Sequence, residues 1–186
     1  MSDMGPAIEY IDSVSRETSL PKYFFGFSLG GLIGSSISIN YNFEFDKYFL
    51  LAPAIKIKAL PKMAVGFMSP YPNKIIKSKT PLPYRENRGV PVAAYKALLK
   101  GAKEFKKAQP HLNNSLIIVD KKDPVVSARK LSRYAKENKY TIEVIRKNKK
   151  ECTYCDNPHL IVDEASLGPS SELVSNKIAL FFNSQF

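Results

Sequence analysis

Short apolar runs alternate with longer segments of helical periodicity along most of this chain. The apolar runs predict strands over residues 22–27, 47–52, 115–119 and 141–146. Apolar residues at helical spacing predict helices over residues 5–16, 29–40, 92–108, 127–138 and 171–183. Within the second helix, Gly30, Gly34 and Ser38 recur every four residues, a spacing that would let one helix face press closely against a sheet. The whole pattern is typical of a parallel sheet covered by helices on both faces.

This rhythm breaks between Ala54 and Pro110. The intervening prolines are Pro61, Pro70, Pro72, Pro81, Pro83 and Pro91. Because proline cannot donate a ladder hydrogen bond, this density excludes regular strands in the middle of a sheet. We therefore predict a single domain over residues 1–186, with a lid inserted at about residues 54–110 above the carboxyl edge of the sheet.

The lid segment combines apolar side chains with many lysines. Its larger apolar residues are Phe67, Met68, Tyr71 and Tyr84, and its lysines include Lys56, Lys58, Lys62, Lys74, Lys77 and Lys79. Packing of the apolar side chains on the core is the preferred interpretation. The alternative is an interface with lipid, since apolar groups among lysines suit an anionic membrane surface.

Composition limits the classes of function. The chain has 186 residues, of which 44% are hydrophobic, enough for one sizeable core. It shows neither a signal peptide nor an apolar run long enough to span a membrane, and its two cysteines fit a reducing compartment. We therefore expect a cytoplasmic protein. The net charge of +11 favours anionic partners such as a phospholipid surface or nucleic acid, and by itself it does not distinguish the two.

Two smaller features have structural interpretations. The basic run from Arg146 to Lys150 is expected to be a solvated loop face. Without interleaved aromatic residues it gives only weak support for a nucleic-acid site, and we predict no nucleic-acid partner. Cys152 and Cys155 could join His159 and Asp156 in a metal site, but a structural zinc site usually brings two such cysteine pairs. We interpret the cysteines as adventitious, with a redox-labile pair as the alternative, and predict no metal.

The candidate chemistry begins with a serine between glycines. Gly26-Phe27-Ser28-Leu29-Gly30 follows a predicted strand and precedes a predicted helix. The G-x-S-x-G pattern is the nucleophile elbow, on which a catalytic serine is exposed at the top of a sheet. A tight turn that merely contains serine is the alternative. The choice between the two interpretations depends on whether Ser28 has a base and an acid as partners.

A nucleophilic serine needs a base, and the base needs a group that orients it. The chain has two histidines. His111 precedes a strand and should lie at the amino edge of the sheet, whereas His159 follows the last strand and should reach Ser28 at the carboxyl edge. The loop after strand 115–119 offers Asp120 and Asp123. We prefer Asp123, because Asp120 suits the first turn position and Asp123 can point across the top of the sheet.

With these residues, the segments GFSLGG, DKKDPVVS and NPHLIVDE resemble the α/β-hydrolase superfamily. More narrowly, they resemble the group of monoacylglycerol lipases, lysophospholipases and S33 serine aminopeptidases. The resemblance implies an α/β-hydrolase-type parallel sheet, Ser28 as nucleophile, Asp123 as the orienting acid and His159 as general base. It also implies the backbone N–H of Leu29 as an oxyanion donor, and it calls for no cofactor. The sequence departs from the family pattern mildly, with Asp120 where glycine is usual and Phe27 where histidine is common before the serine.

The larger departure lies ahead of the elbow. The resemblance implies about four more strands, and a loop with a second oxyanion donor, upstream of residue 1. We therefore expect an N-terminally truncated fold, with completion of the sheet by a partner chain as the less favoured alternative. We also expect its apolar YFFGF edge to self-associate. Loss of one oxyanion donor typically costs ~2.7–4 kcal/mol of transition-state stabilisation. Two functions follow: a serine hydrolase that cleaves a carboxylic ester of a lipid-like or small acyl substrate, or a weakly active remnant that acts as an interaction module.

Overall fold

The computed structural model of the chain describes residues 5–41, 43–85, 87, 89–110, 112, 114–148 and 150–183. Its strands are β1 (Tyr23–Phe27), β2 (Lys47–Leu51), β3 (Ile75–Lys77), β4 (Gly89–Pro91), β5 (Ser115–Asp120) and β6 (Thr141–Ile145). Its helices are α1 (Gly5–Thr18), α2 (Leu29–Tyr41), α3 (Ala59–Phe67), α4 (Val92–Ala108), α5 (Ala128–Glu137), α6 (Glu164–Leu167) and α7 (Ser170–Asn183), with a 3₁₀ turn at Leu82–Tyr84. None of these helices is long and apolar enough to cross a membrane.

The central sheet has the order β1-β2-β5-β6, and all its neighbouring strands are parallel. Side chains of β2 alternate between two core clusters: Tyr48 and Leu50 face one, and Phe49 and Leu51 face the other. The first cluster includes side chains of α2, α4 and α5, and the second includes side chains of α6 and α7. Because both faces are covered, the strands need no polar alternation. The predicted α/β fold with a parallel sheet is confirmed.

Helix α2 contacts the sheet through a face one position away from the predicted one. Gly31, Gly34 and Ser35 are buried, whereas Gly30 faces open space. The prediction for Gly30 was therefore wrong, because the buried face follows the helical spacing i, i+3 and i+4 of Gly31, Gly34 and Ser35 and not every fourth residue. Gly34 lies against the Phe24 ring of β1, where a Cβ would overlap the ring atoms.

The proline-rich segment divides into exposed and buried parts. Strands β3 and β4 form a separate antiparallel ribbon, and α3 precedes this ribbon in the chain. Helix α4 instead contributes Ala102 and the fully buried Phe105 to the core. The expected packing of Phe67 and Tyr71 on the core was wrong, since these residues are 80% and 63% exposed.

Strand β1 is an edge of the sheet, and no described strand pairs with its outer side. Phe25 is 57% exposed there, although its ring also contacts Phe49 at a centroid distance of 4.8 Å. Unpaired backbone groups beside exposed aromatics favour pairing with another chain. Self-association through β1 remains a prediction, and size-exclusion chromatography of residues 1–186 tests it.

The contact between α2 and β1 generates a matched pair of substitutions. Gly34→Ala should lower the free energy of unfolding by about 1–3 kcal/mol, because the added methyl overlaps the Phe24 ring. Gly30→Ala should leave it unchanged or raise it by up to about 1 kcal/mol, because alanine favours the helix and meets no atom. Urea unfolding measures both. An equal or higher midpoint for Gly34→Ala than for Gly30→Ala would contradict this packing.

Candidate active site

Ser28 occupies a sharp turn between β1 and α2. Its φ of 50° lies in the left-handed region, which is uncommon for a residue with a side chain. Its N–H donates to the carbonyl of Leu51 at 2.9 Å, and its carbonyl accepts from the N–H of Ala54 at 2.9 Å. Two residues earlier, a Cβ on Gly26 would lie 2.8 Å from the Cα of Gly31, so glycine lets β1 and α2 approach at the turn. This geometry is typical of a nucleophile elbow.

The structure brings the three sequence-predicted residues together at the carboxyl edge of the sheet. His159 Nε2 lies 2.8 Å from Ser28 Oγ, and His159 Nδ1 lies 2.7 Å from Asp123 Oδ2. Both distances are within hydrogen-bond reach. The side chain of Asp123 is fully buried and that of His159 is 17% exposed, so the serine end of the array is the end nearer to solvent.

The Asp123 carboxylate is held by its own loop. Its Oδ1 accepts hydrogen bonds from the backbone N–H groups of Val125 and Val126, at 2.7 and 2.8 Å. This leaves Oδ2 for the imidazole, so the loop aims one oxygen of the acid at His159.

Asp120, the alternative acid, has a different place. Its Oδ1 accepts from the N–H of Lys122 at 2.6 Å, and its Oδ2 accepts from the N–H of Lys147 at 2.9 Å. The carboxylate therefore links the loop after β5 to the segment after β6. The structure places Asp123, and not Asp120, against His159. His111, the other histidine, lies outside the described residues.

Lys147 anchors the loop that carries His159, and sequence reasoning missed it. Its Nζ donates to the backbone carbonyls of Asn157 at 2.8 Å and Ser166 at 2.7 Å, and also to that of Leu160. These carbonyls lie on both sides of His159 in the chain. Burial lowers the pKa of Lys147 to about 8, although nearby carboxylates, first that of Asp120, act to raise it.

The assignment of the basic run to a solvated face was thus wrong for Lys147, which is 4% exposed. The alternation of inward-facing and outward-facing residues along a strand is the signal that could have identified it. Lys147 lies two positions after the buried Ile145, so it continues the inward-facing side of β6 beyond the end of the strand. Lys149 of the same run lies outside the described residues.

Two further contacts orient His159. The side-chain oxygen of Asn157 accepts from the backbone N–H of His159 at 3.2 Å, which closes a local turn. The ring of Phe27, directly before the serine, lies 5.2 Å from the imidazole centroid. Phe27 therefore gives the imidazole an apolar wall.

Leu29, the predicted oxyanion donor, is the first residue of α2. A backbone N–H at this position has no acceptor within the helix, so it is free of intrahelical hydrogen bonding. It also lies at the helix end where the macrodipole favours negative charge. Both properties suit a donor to a developing oxyanion beside Ser28.

The proline-rich segment contacts the histidine loop through Tyr84. Its Oη hydrogen-bonds to both carboxylate oxygens of Asp163, at 2.9 and 2.7 Å. Burial and this hydrogen bond raise the pKa of Tyr84 to about 12. Burial acts to raise the pKa of Asp163, but hydrogen bonds from Tyr84 and Ser166 outweigh it and hold that pKa below its ordinary value.

Cys152 and Cys155 are joined in a disulfide, so neither thiol is free. His159 is engaged with Ser28 and Asp123. Among the described residues, no group of three or more histidine, cysteine or carboxylate side chains could hold a metal ion. The structure gives these cysteines the role of closing a short turn before the histidine.

The shifted pKa of Lys147 predicts a pH dependence of stability. The folded-state pKa of about 8 lies below the ordinary value of 10.5, so between these values the unfolded chain holds a proton that the folded chain has released. The contribution of Lys147 to stability must therefore grow as pH rises through this window. We expect the free energy of unfolding of the wild type, relative to Lys147→Met, to increase from pH 8 to pH 10.

Lys150→Met, which removes an exposed lysine of the same segment, is the control. Denaturant unfolding at several pH values measures all three proteins. A wild-type advantage over Lys147→Met that shrinks as pH rises would contradict the burial of this amine.

Comparison with known proteins gives two kinds of result. No family model matches the chain, and no curated protein matches it. Solved structures do resemble it. Monoglyceride lipase from Saccharomyces cerevisiae, as a soluble variant with a substrate analogue, is 13% identical with a TM-score of 0.66, covering 97% of this chain and 67% of its own.

Two further structures agree. Monoacylglycerol lipase from Paleococcus ferrophilus is 17% identical with a TM-score of 0.63, covering 96% of this chain and 75% of its own. A structure from work on the metagenome-derived lipolytic enzymes LipS and LipT is 17% identical with a TM-score of 0.66, covering 98% of this chain and 72% of its own. At such identities the likeness establishes architecture alone. The parallel sheet, its two helical layers and the elbow after β1 are those of the α/β-hydrolase fold, and this chain has that fold.

Proposed function

We propose that this protein is a serine hydrolase that cleaves carboxylic esters through Ser28, His159 and Asp123. The observation that carries the proposal is the continuous hydrogen-bonded array from Ser28 Oγ through the imidazole to the buried Asp123 carboxylate. Such an array activates a serine because the imidazole can accept its proton while the carboxylate stabilises the resulting imidazolium. The similarity of fold to known lipases also supports ester hydrolysis as the general reaction.

The proposed reaction proceeds through an acyl-enzyme. Ser28 Oγ attacks the ester carbonyl carbon as His159 Nε2 accepts the hydroxyl proton, and the N–H of Leu29 donates to the oxyanion. Collapse of the tetrahedral intermediate breaks the bond to the alcohol, which leaves with the proton from His159. A water molecule then attacks the acyl carbon as His159 accepts one of its protons. The bond between the acyl carbon and Ser28 Oγ breaks, the serine takes the proton from His159, and the carboxylic acid leaves.

A lipid-like acyl substrate is supported by an exposed helix in the lid segment. Leu60, Met63 and Phe67 of α3 lie at helical spacing on one face and are all exposed. An apolar helix face open to solvent suits contact with a lipid surface, and neighbouring lysines such as Lys58 and Lys62 suit anionic headgroups. The protein would then act at a membrane periphery on monoacylglycerol- or lysophospholipid-like esters.

The competing hypothesis is a weakly active remnant that serves as an interaction module. It is favoured by one observation: Leu29 supplies the one oxyanion donor that we assign among the described residues. Both hypotheses have the same fold, so reactivity of Ser28 separates them.

Labelling by a fluorophosphonate probe tests the enzyme directly. The wild type should be labelled, because an activated Ser28 attacks the phosphorus, and Ser28→Ala should not be labelled. Ser36→Ala, which removes a hydroxyl from the same α2 segment, is the control and should keep full labelling. A well-folded wild type that resists the probe would favour the remnant.

The two aspartates of the acid loop predict opposite defects. In Asp123→Asn the amide would donate to His159 Nδ1, which forces the proton onto Nε2 and prevents it from accepting from Ser28. We expect kcat to fall by about 10⁴ with little loss of stability, as in the serine-protease precedent. Both aspartates accept two backbone N–H groups, but those of Val125 and Val126 share one oxygen of Asp123, which an asparagine retains. Asp120 uses both of its oxygens, so Asp120→Asn should lower stability, while kcat changes by less than about tenfold.

Steady-state ester hydrolysis and denaturant unfolding on both variants give the comparison. A larger kcat loss for Asp120→Asn than for Asp123→Asn would transfer the role of the acid to Asp120.

A further inference from the structure

A basic cleft lies on the sheet face opposite α7, between the segment after β2 and helices α3, α4 and α5. Its volume is about 640 Å³. Helix α4 lines it with residues 99, 102, 103 and 106, and α5 lines it with residues 130, 133, 134 and 137. Each set has the spacing i, i+3, i+4 and i+7, so each helix presents one whole face to the cleft.

The charge of the cleft is one-sided. Its cationic side chains are Lys56, Lys62, Lys103, Lys106, Lys130 and Arg133, and its one carboxylate is Glu137. Among the described residues, none of these six cations forms a salt bridge. Like charges so close together repel, and an anion between them would relieve that repulsion.

Lys56 shows this crowding most clearly. Its Nζ lies 3.9 Å from the centroid of the buried Tyr134 ring, which holds the ammonium over the cleft floor. Burial lowers the pKa of Lys56, and the charges of Lys106 and Lys62 lower it further, although the charge of Glu137 acts to raise it. The ammonium of Lys56 is thus held in a partly desolvated position, where a bound anion would stabilise its charge most strongly.

The floor below these charges is apolar. Ile55 and Ile57 are 4% and 3% exposed, and Leu99 and Ala102 come from α4. A cleft with an apolar floor and a cationic rim suits an amphiphilic anion. Tyr134 is buried beneath Lys56 and offers no open ring for base stacking, which disfavours nucleic acid.

We propose that this cleft is a second binding site, which takes a small molecule bearing a phosphate group. Phosphate oxygens would pair with the lysines and with the Arg133 fork, and an apolar portion of the ligand would lie on Ile57 and Leu99. The site contains none of Ser28, Asp123 and His159, so it does not depend on the proposed hydrolase activity.

The cleft nevertheless shares a wall with the acid loop. The carbonyl of Lys56 accepts from the N–H of Ser127 at 2.8 Å, and the N–H of Lys58 donates to the carbonyl of Val125 at 2.8 Å. The N–H of Val125 in turn holds Asp123. An occupied cleft would therefore stabilise the segment that supports the acid.

The test compares two double variants on the same helices. Lys106→Gln with Arg133→Gln removes two charges from the cleft, and Lys107→Gln with Lys136→Gln removes two charges from exposed positions outside its lining. Inorganic pyrophosphate is the soluble probe, titrated calorimetrically at low, matched ionic strength because salt screens such contacts. We expect the cleft double to bind at least about tenfold more weakly than wild type, and the control double to bind within about twofold of it.

A second arm uses phosphatidylcholine vesicles that contain phosphatidate. Weakened binding in the cleft double alone, in either arm, supports the site, and the arm in which it occurs distinguishes a soluble phosphate from a lipid headgroup. Equal weakening in both doubles, or no binding by the wild type in either arm, overturns it.

All four substituted positions are exposed, so folding should survive, and the single Lys103→Gln variant repeats the test if a double does not fold. The pyrophosphate arm contains no carboxylic ester, and both arms measure binding and not hydrolysis, so failure of the hydrolase proposal would leave this result interpretable.

Discussion

The left-handed backbone at Ser28 is the constraint on which the rest of the site depends. A residue with a side chain adopts this conformation at a cost, so surrounding contacts must enforce it. Hydrogen bonds to Leu51 and from Ala54 attach the turn to the end of β2, and the absence of a side chain at Gly26 lets α2 start directly behind it. The hydroxyl is therefore presented at the carboxyl edge by rigid elements, where loops from neighbouring strands can reach it.

A second network supports those loops from below. The carboxylate of Asp120 accepts hydrogen bonds from the loop after β5 and from the segment after β6. Lys147, in that second segment, donates in turn to a backbone carbonyl of the loop that carries His159. The acid and the base of the array thus share one anchor. Among the described residues, the side chains of Asp120 and Lys147 form no hydrogen bond with Ser28, His159 or Asp123, although the backbone N–H of Asp123 donates to the carbonyl of Asp120 at 3.1 Å. A lysine suits this position because its ammonium has three donors for three carbonyls.

The excess of positive charge is not spread evenly. Part of it surrounds the apolar face of α3, part is buried as Lys147, and part converges between α4 and α5. These three settings have different physical consequences. Beside α3 the charge is open to solvent, and the ammonium of Lys147 donates to three backbone carbonyls. In the cleft, none of the six cations forms a salt bridge within the described residues.

The amino-acid sequence by itself predicted the four strands of the central sheet, their parallel arrangement, five of the helices, and Ser28 and His159 as members of the array. Those features are local or follow from chain order: periodicity sets each element, and residues after parallel strands meet at one edge. Only the tertiary structure decided that Asp123 and not Asp120 meets His159, since both aspartates occupy the same loop and differ in where their carboxylates point. It also decided that Lys147 is buried, that Phe67 is exposed and that α4 and α5 face each other across a basic cleft. Each depends on the relative placement of segments distant in the chain, which side-chain periodicity within one segment does not encode.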